Sequence, residues 1–265
     1  MFKVSCIQLR SNNNIEYNLK CTKRLILKAV KHKTDFILTP EISSLFLLNK
    51  KQLLKICTSM NKDIYLKGIK KLAKKYKKWI LVGSLTIKVS KNKLVNRSVL
   101  IDKNGKIKCY YDKIHMYDVI LSKKERYFES KTYSAGKKIK SFKLPWGKIG
   151  FTICYDLRFP HLFRKLAKKG SEIILLPAAF TVPSGKAHWE IMVRSRAIEN
   201  SLFVIATNMC GTHHSNRKTY GHSLLVNPWG KIVTKAKSKP AILNTEINLK
   251  EVGEARSKIP SIFHD

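Results

Sequence analysis

Ile149-Gly150-Phe151-Thr152-Ile153-Cys154-Tyr155-Asp156-Leu157-Arg158-Phe159-Pro160 is an apolar run that ends on a cysteine and turns at once into a polar, arginine-bearing stretch. Ile149 to Ile153 reads as a buried strand, and a helix is expected over His161–Lys169. The cysteine therefore sits on the tight turn between them. There its sulfur is exposed, the helix N-terminus behind it favours the thiolate, and the N–H of Tyr155 can face a developing oxyanion. Most free cysteines are small buried hydrophobes, so the placement marks Cys154 only as a candidate nucleophile.

Two further strand exits carry one ionisable residue each. Phe36-Ile37-Leu38-Thr39-Pro40-Glu41 ends in a carboxylate, and Tyr110-Tyr111-Asp112-Lys113-Ile114-His115 ends a hairpin strand with a lysine. Sites in α/β proteins are built at such exits. A thiol needs a base, which a carboxylate in a partly apolar pocket can supply. A tetrahedral oxyanion needs a fixed cation or donors. Alone, each charge would read as surface; with Cys154 they form a coherent set.

Around these points strands and helices alternate without repeats or linkers. Strand 4–8 precedes a helix over 17–32 and strand 36–38; a lysine-rich helix near 62–77 precedes strand 80–84. Strands 96–102 and 106–111 flank Lys103-Asn104-Gly105, an Asn-Gly hairpin turn. A loop to about Lys143 leads to strand 148–153. Beyond the turn come strand 172–176, a helix over 187–200, strand 202–207, and strands near 222–226, 231–235 and 241–247. Crossover strands mixed with hairpins imply a mixed sheet or two packed sheets.

At 265 residues the chain suits one domain over residues 1–265, burying roughly three quarters of its unfolded surface. Its six cysteines (Cys6, Cys21, Cys57, Cys109, Cys154 and Cys210) show no C-x-x-C spacing and read as reduced residues of a cytoplasmic protein. Met1 to Gln8 reads as a strand rather than a signal peptide, and no apolar run approaches the ~18 residues of a membrane span. The net charge of +36 rests on 43 lysines against 10 arginines, scattered over helix faces and turns. Phosphate or base readout favours arginine. The excess therefore reads as a lysine-biased surface giving weak, salt-sensitive anion binding. His213 and His214 with Cys210 lack a fourth ligand for zinc, and no phosphate-cradling glycine motif occurs. Neither metal nor cofactor is expected.

The three segments LTPE (Glu41), YDKIHMYD (Lys113) and GFTICYDLRFP (Cys154), with FES (Glu129), AHWE (Ala187–Glu190) and YGHSLLVNPWG (Tyr220–Gly230), resemble the nitrilase superfamily of carbon–nitrogen hydrolases. The similarity runs from Met1 nearly to Asp265. It implies an α/β four-layer αββα sandwich that pairs into a homodimer or larger homo-oligomer. It also implies a Glu41–Lys113–Cys154 triad, with Glu129 as the second glutamate that holds the lysine. CGTHHSNRKTYGHS, from Cys210 to Ser223, is most similar to the branch that includes deaminated-glutathione amidase; the omega-amidases share AHWE and GHS. The implied reaction is hydrolysis of a small carboxylate-bearing amide to acid and ammonia through a Cys154 thioester. Alternatives are omega-amides of dicarboxylic acids, nitriles or carbamoyl compounds, and, outside catalysis, a basic RNA-associated protein on a hydrolase scaffold. Arg158, four residues past the cysteine, is the candidate for a substrate carboxylate, with Tyr155 and His188 beside it; bracing of the turn is the other reading of Arg158. The chain departs from the family in Val119–Tyr127, which lacks a Pro-Gly, and at Lys186, which replaces a proline.

Overall fold

The computed structural model describes residues 1–47, 49–123 and 125–264; Lys124, in the departing loop, and Asp265 lie outside them. The strands are β1 (Phe2–Gln8), β2 (Phe36–Leu38), β3 (Trp79–Ser90), β4 (Lys93–Ile101), β5 (Ile107–Asp112), β6 (Asp118–Ile120), β7 (Arg126–Phe128), β8 (Ser141–Lys143), β9 (Lys148–Phe151), β10 (Ile173–Ala178), β11 (Phe203–Asn208), β12 (Cys210–Thr212), β13 (Lys218–Tyr220), β14 (Leu224–Val226), β15 (Ile232–Lys235) and β16 (Ala241–Ile247). The helices are α1 (Ile15–Lys31), α2 (Lys50–Ile56), α3 (Ile64–Tyr76), α4 (Pro160–Lys168), the single turn α5 (Val182–Ser184), α6 (Glu190–Asn200) and α7 (Lys250–Lys258).

Two six-stranded sheets form, in the orders β16-β1-β2-β3-β4-β5 and β15-β14-β11-β10-β9-β8. Each has three parallel strands at its centre, β1-β2-β3 in one and β9-β10-β11 in the other, with antiparallel strands outside. Neighbouring residues of the first sheet point to opposite faces. Ile7, Ile37 and Ile80 pack among Ile26, Ala29, Tyr65 and Ile69 of α1 and α3. Cys6, Leu38 and Leu81 instead join Phe151 and Leu175 of the second sheet, in one core that reaches α4 and α6 through Phe163 and Val193. The layers are therefore helix, sheet, sheet, helix. Both sheets are covered on both faces, so their central strands are continuous apolar runs.

Local chemistry explains the boundaries. Asn14 caps α1 by accepting from the Tyr17 N–H at 2.8 Å, and Asp63 caps α3 through the Leu66 N–H at 2.7 Å. The β4–β5 turn closes on Gly105 at φ 75°, with Asp102 Oδ1 accepting from the Asn104 and Lys106 N–H groups. Several elements differ from the sequence expectation. β3 continues to Ser90 and pairs with β4 through a bulged register that the first half of the hairpin does not advertise. α2 and α7 go unsignalled because α2 has only seven residues and α7 carries a glycine, with only Val252 and Ala255 buried. The loop before Lys143 holds the β6–β7 ribbon.

Gly83 of β3 lies tightly between the backbone that follows β2 and Pro177 of the second sheet. A Cβ there would lie 1.9 Å from the Thr39 carbonyl oxygen, 2.5 Å from that of Pro40 and 2.7 Å from Pro177 Cβ. Two of these atoms are backbone and cannot turn aside. Gly83→Ala is expected to lose about 3 kcal/mol or more of stability, read as a lower denaturant midpoint at unchanged slope. A variant as stable as wild type would show that Thr39 and Pro40 are not fixed against β3.

Candidate active site

The exits of β2 and β5 and the end of the β6–β7 ribbon converge on one buried cluster. Glu41 follows β2 and is fixed by its successors: the Ile42 N–H donates to Ser84 Oγ at 2.8 Å and the Ser43 N–H to the Ser84 carbonyl at 3.0 Å. Lys113 follows β5 directly, its N–H bonded to the Asn96 carbonyl at 2.9 Å. Glu129 opens a short 3-10 turn after β7. The Lys113 ammonium donates to Glu41 Oε1 at 2.9 Å and to Glu129 Oε2 at 2.7 Å. Its side chain is 2% exposed, against 4% for Glu41 and 12% for Glu129. Glu129 Oε2 also accepts from the Tyr117 N–H at 2.7 Å.

Cys154 leaves β9 with φ 48°, a left-handed conformation that L residues adopt at a cost. Asp156, fully buried, holds the bend. Its Oδ2 accepts from the Ile153 N–H at 2.8 Å and the Tyr111 hydroxyl at 2.7 Å. Its Oδ1 meets the His115 N–H at 3.1 Å and Nδ1 at 2.7 Å. The carboxylate thus ties the cysteine turn to residues on either side of Lys113, and the His115 ring stacks on Phe159 at 3.5 Å.

The expected helix N-terminus behind the sulfur is absent. A 3-10 turn spans Cys154–Arg158, and α4 begins only at Pro160. The thiol is accordingly not lowered. Burial first, and then the Glu41 charge, push it well above its ordinary value, although Lys113 and a backbone bond at Ala179 pull the other way. Burial alone would draw the Lys113 ammonium down, but Glu129 and then Glu41 raise it well above ordinary lysine, so it stays cationic. A neutral thiol beside a carboxylate and a permanent cation can transfer one proton and stabilise one developing anion.

These groups open onto a cavity of about 230 Å³, whose lining includes Glu41, Lys113, Glu129, Cys154 and Tyr155. Arg158 and His188 do not line it. Arg158 Nη2 lies 3.2 Å from His188 Nδ1, and its guanidinium lies over the Tyr155 and Phe180 rings, so the pair sits behind the wall. The cavity's cations, apart from Lys113, are Arg126 and Arg217. Arg217 lies over the Tyr127 and Phe46 rings, and among the described residues no carboxylate is bonded to it. It stands in the quoted CGTHHSNRKTYGHS, but nothing in its spacing set it apart from a surface arginine. Asn96 carries no signal of its own in the sequence, because it stands in β4 beside two other polar residues, Arg97 and Ser98. His213 has both ring nitrogens engaged, Nδ1 with the Ser11 carbonyl and Nε2 with Thr219 Oγ1, and burial lowers it to about 4. Among the described residues no three His, Cys, Asp or Glu side chains are grouped to hold a metal.

The sign of the Glu41–Cys154 coupling is testable. Removing the carboxylate charge leaves Lys113 beside the sulfur, so Glu41→Gln should lower the thiol pKa. Iodoacetamide labelling of Cys154, followed by peptide mass analysis between about pH 6 and pH 9, should then begin at lower pH than in wild type. An unchanged or upward-shifted labelling profile would show that Glu41 does not act on the thiol.

The chain matches the carbon–nitrogen hydrolase family model over residues 3–257. It is 37% identical to the deaminated glutathione amidase of Yersinia enterocolitica, covering 99% of this chain and 92% of that one. The same enzyme of Dictyostelium discoideum is 36% identical, with coverage of 97% and 91%. The crystal structure of Caenorhabditis elegans NitFhit superposes with a TM-score of 0.93 at 33% identity, over 100% of this chain and 65% of that one. Saccharomyces cerevisiae Nit3, a member of branch 10 of the nitrilase superfamily, gives 0.88 at 28% identity, with coverage of 98% and 94%. No helix of the described residues is long and apolar enough to cross a membrane. A match across almost the whole sequence and a shared αββα architecture make the chain a member of the carbon–nitrogen hydrolase family, an amidase of the nitrilase superfamily.

Proposed function

We propose that the chain hydrolyses a small carboxylate-bearing amide through a thioester on Cys154, with deaminated glutathione as first candidate. The observation that carries this is the buried ammonium of Lys113, held between Glu41 and Glu129 in the wall of the cavity that Cys154 lines. Glu41 takes the thiol proton as sulfur attacks the amide carbon. Lys113 and the Tyr155 N–H hold the oxyanion. The proton passes from Glu41 to the departing nitrogen, the C–N bond breaks, and the thioester remains. Glu41 then takes a proton from water, whose oxygen displaces the sulfur to give the acid and restore the thiol. Glu129 keeps Lys113 in place. For deaminated glutathione the amides are secondary, so the leaving group is an amine; ammonia leaves only from primary amides such as omega-amides.

The substrate carboxylate is assigned to Arg217 rather than Arg158. Arg217 lines the cavity without a carboxylate partner among the described residues, whereas Arg158 lies behind the wall. Aromatic side chains of Tyr117, Tyr127, Tyr155 and Phe180 enclose the space between. Omega-amides of dicarboxylic acids satisfy the same charge pattern and form the second reading. Several further properties belong to this reading. Pairing of two copies through the outer helices accords with Ile191 and Ile198 of α6, exposed at 69% and 50%. Weak anion binding follows from the charge of +36, and a cytoplasmic setting accords with six free cysteines.

Deaminated glutathione, primary omega-amides and a neutral amide should be compared by product release. Cys154→Ala should fall below about a hundredth of wild-type turnover, because the covalent route is lost, and a slow substrate should leave an acyl mass on the Cys154 peptide. Acylation at Cys210 instead would overturn the reading. Arg217→Lys keeps charge but loses the planar fork. KM for the carboxylate-bearing amide should rise about ten- to a hundredfold with the neutral amide little affected, while Arg158→Lys leaves that selectivity alone. Equal losses on both substrates in Arg217→Lys would remove Arg217 from carboxylate recognition.

A further inference from the structure

We infer that Asn96 is a positioning residue of this active site, whose amide N–H groups separate the tasks of the two glutamates around Lys113. The inference rests on the reading just given and adds a residue to it. Asn96 lies on β4, opposite Thr86 of β3, and is 1% exposed. Its Nδ2 donates to Glu41 Oε1 at 2.9 Å and to Glu129 Oε1 at 3.2 Å. Both hydrogens of one amide are therefore spent on two carboxylates.

The amide's orientation follows from charge. A flipped side chain would set its oxygen against two carboxylate oxygens, which repel it. The orientation found leaves Asn96 Oδ1 buried without a partner, an arrangement buried polar atoms rarely accept. The carboxylate contacts thus take precedence over satisfying the residue itself. A polar side chain kept only to fill space in β4 would not be held in this way.

The consequence lies in which oxygens remain available. Glu129 has Oε1 bonded to Asn96 and Oε2 to Lys113 and the Tyr117 N–H, so it is fully engaged as a holder. Glu41 has Oε1 bonded to Asn96 and Lys113, neither of which is bonded to its Oε2, and the Cys154 thiol is hydrogen-bonded to the same carboxylate. Proton exchange with the thiol and the substrate therefore falls to Oε2. Without Asn96, two like charges would share one ammonium and could turn about it, and the base would no longer be fixed toward sulfur. The Asn96 carbonyl separately accepts the Lys113 N–H, and side-chain substitution leaves that bond in place. The effect of a substitution is thus attributable to the amide.

The test compares Asn96→Ala and Asn96→Asp on deaminated glutathione and the omega-amides, with thermal unfolding to confirm folding. Asn96 does not line the cavity, so Asn96→Ala should lower kcat about ten- to a hundredfold with KM little changed. Asn96→Asp has nearly the same shape but puts a third carboxylate against the other two. It should be worse than Asn96→Ala near neutrality and recover relative to it on acidification, when a protonated carboxyl regains a donor. A space-filling role predicts the reverse order, with Asn96→Asp the milder change. If Asn96→Asp does not fold, Asn96→Ser, which keeps one donor, should exceed Asn96→Ala in kcat. An unchanged kcat in Asn96→Ala, or Asn96→Ser no better than Asn96→Ala, overturns the inference. Turnover retained in Cys154→Ala would instead overturn the functional reading beneath it, and the two failures are separately visible.

Discussion

A lysine ammonium with 2% of its side chain exposed cannot remain charged unless negative groups are carried to it. Water is gone, and the cost of removing it is several kcal/mol per ion. The structure meets that requirement from two separate places, a turn after β2 and a turn after β7, on a lysine that leaves β5. Each must be held to a few tenths of an ångström, because a carboxylate that drifts leaves a buried charge uncompensated. Much of the surrounding construction can be read as the means of holding them. Ser84 fixes the residues after Glu41, the Asn96 carbonyl fixes Lys113, and the Tyr117 N–H fixes Glu129.

The same constraint joins the two sheets. Lys113 and Glu41 come from the first sheet and Cys154 from the second, so their relative placement depends on how the sheets meet. Two contacts set that distance. Gly83 lets β3 approach the Thr39–Pro40 backbone and Pro177 without a side chain between them. Asp156 bonds across from the cysteine turn to Tyr111 and His115, which flank Lys113. Asp156 therefore serves both the strained φ of Cys154 and the register of the nucleophile with its cation. A packing contact alone would tolerate sliding; a buried carboxylate with four short bonds does not.

Much of this was legible in the sequence, for a physical reason. The parallel strands β2 and β9 are covered on both faces, so they appear as apolar runs whose ends are sharp, and Glu41 and Cys154 stand just past those ends, whereas Lys113 follows β5, an alternating strand at the sheet edge that the hairpin turn marks. Motif resemblance then supplied the layer order and Glu129. The helix dipole assigned to Cys154 failed because Pro160 delays α4, leaving a short turn behind the sulfur. Arg158 stands four residues past Cys154 in the sequence, while in the structure its side chain meets His188. Arg217 and Asn96 went unmarked for opposite reasons. One is an ordinary arginine in a loop until Tyr127 and Phe46 close around it. The other is a buried amide whose partners lie 55 and 33 residues away.

The raised thiol and the raised ammonium belong together. Burial and then Glu41 oppose ionisation of Cys154, while Glu129 and then Glu41 support ionisation of Lys113, so Glu41 contributes to both the neutral thiol and the full cation of the resting cluster. A thiolate formed early would face both burial and Glu41. A proton passed to Glu41 as the sulfur–carbon bond forms removes that opposition at the moment the oxyanion appears, and Lys113 then has a new anion in place of the one it loses. On the proposed reading, the charge around Lys113 is conserved through the step and only its location changes. A site whose total charge does not change needs little reorganisation of its surroundings, which fits a cluster fixed from this many directions.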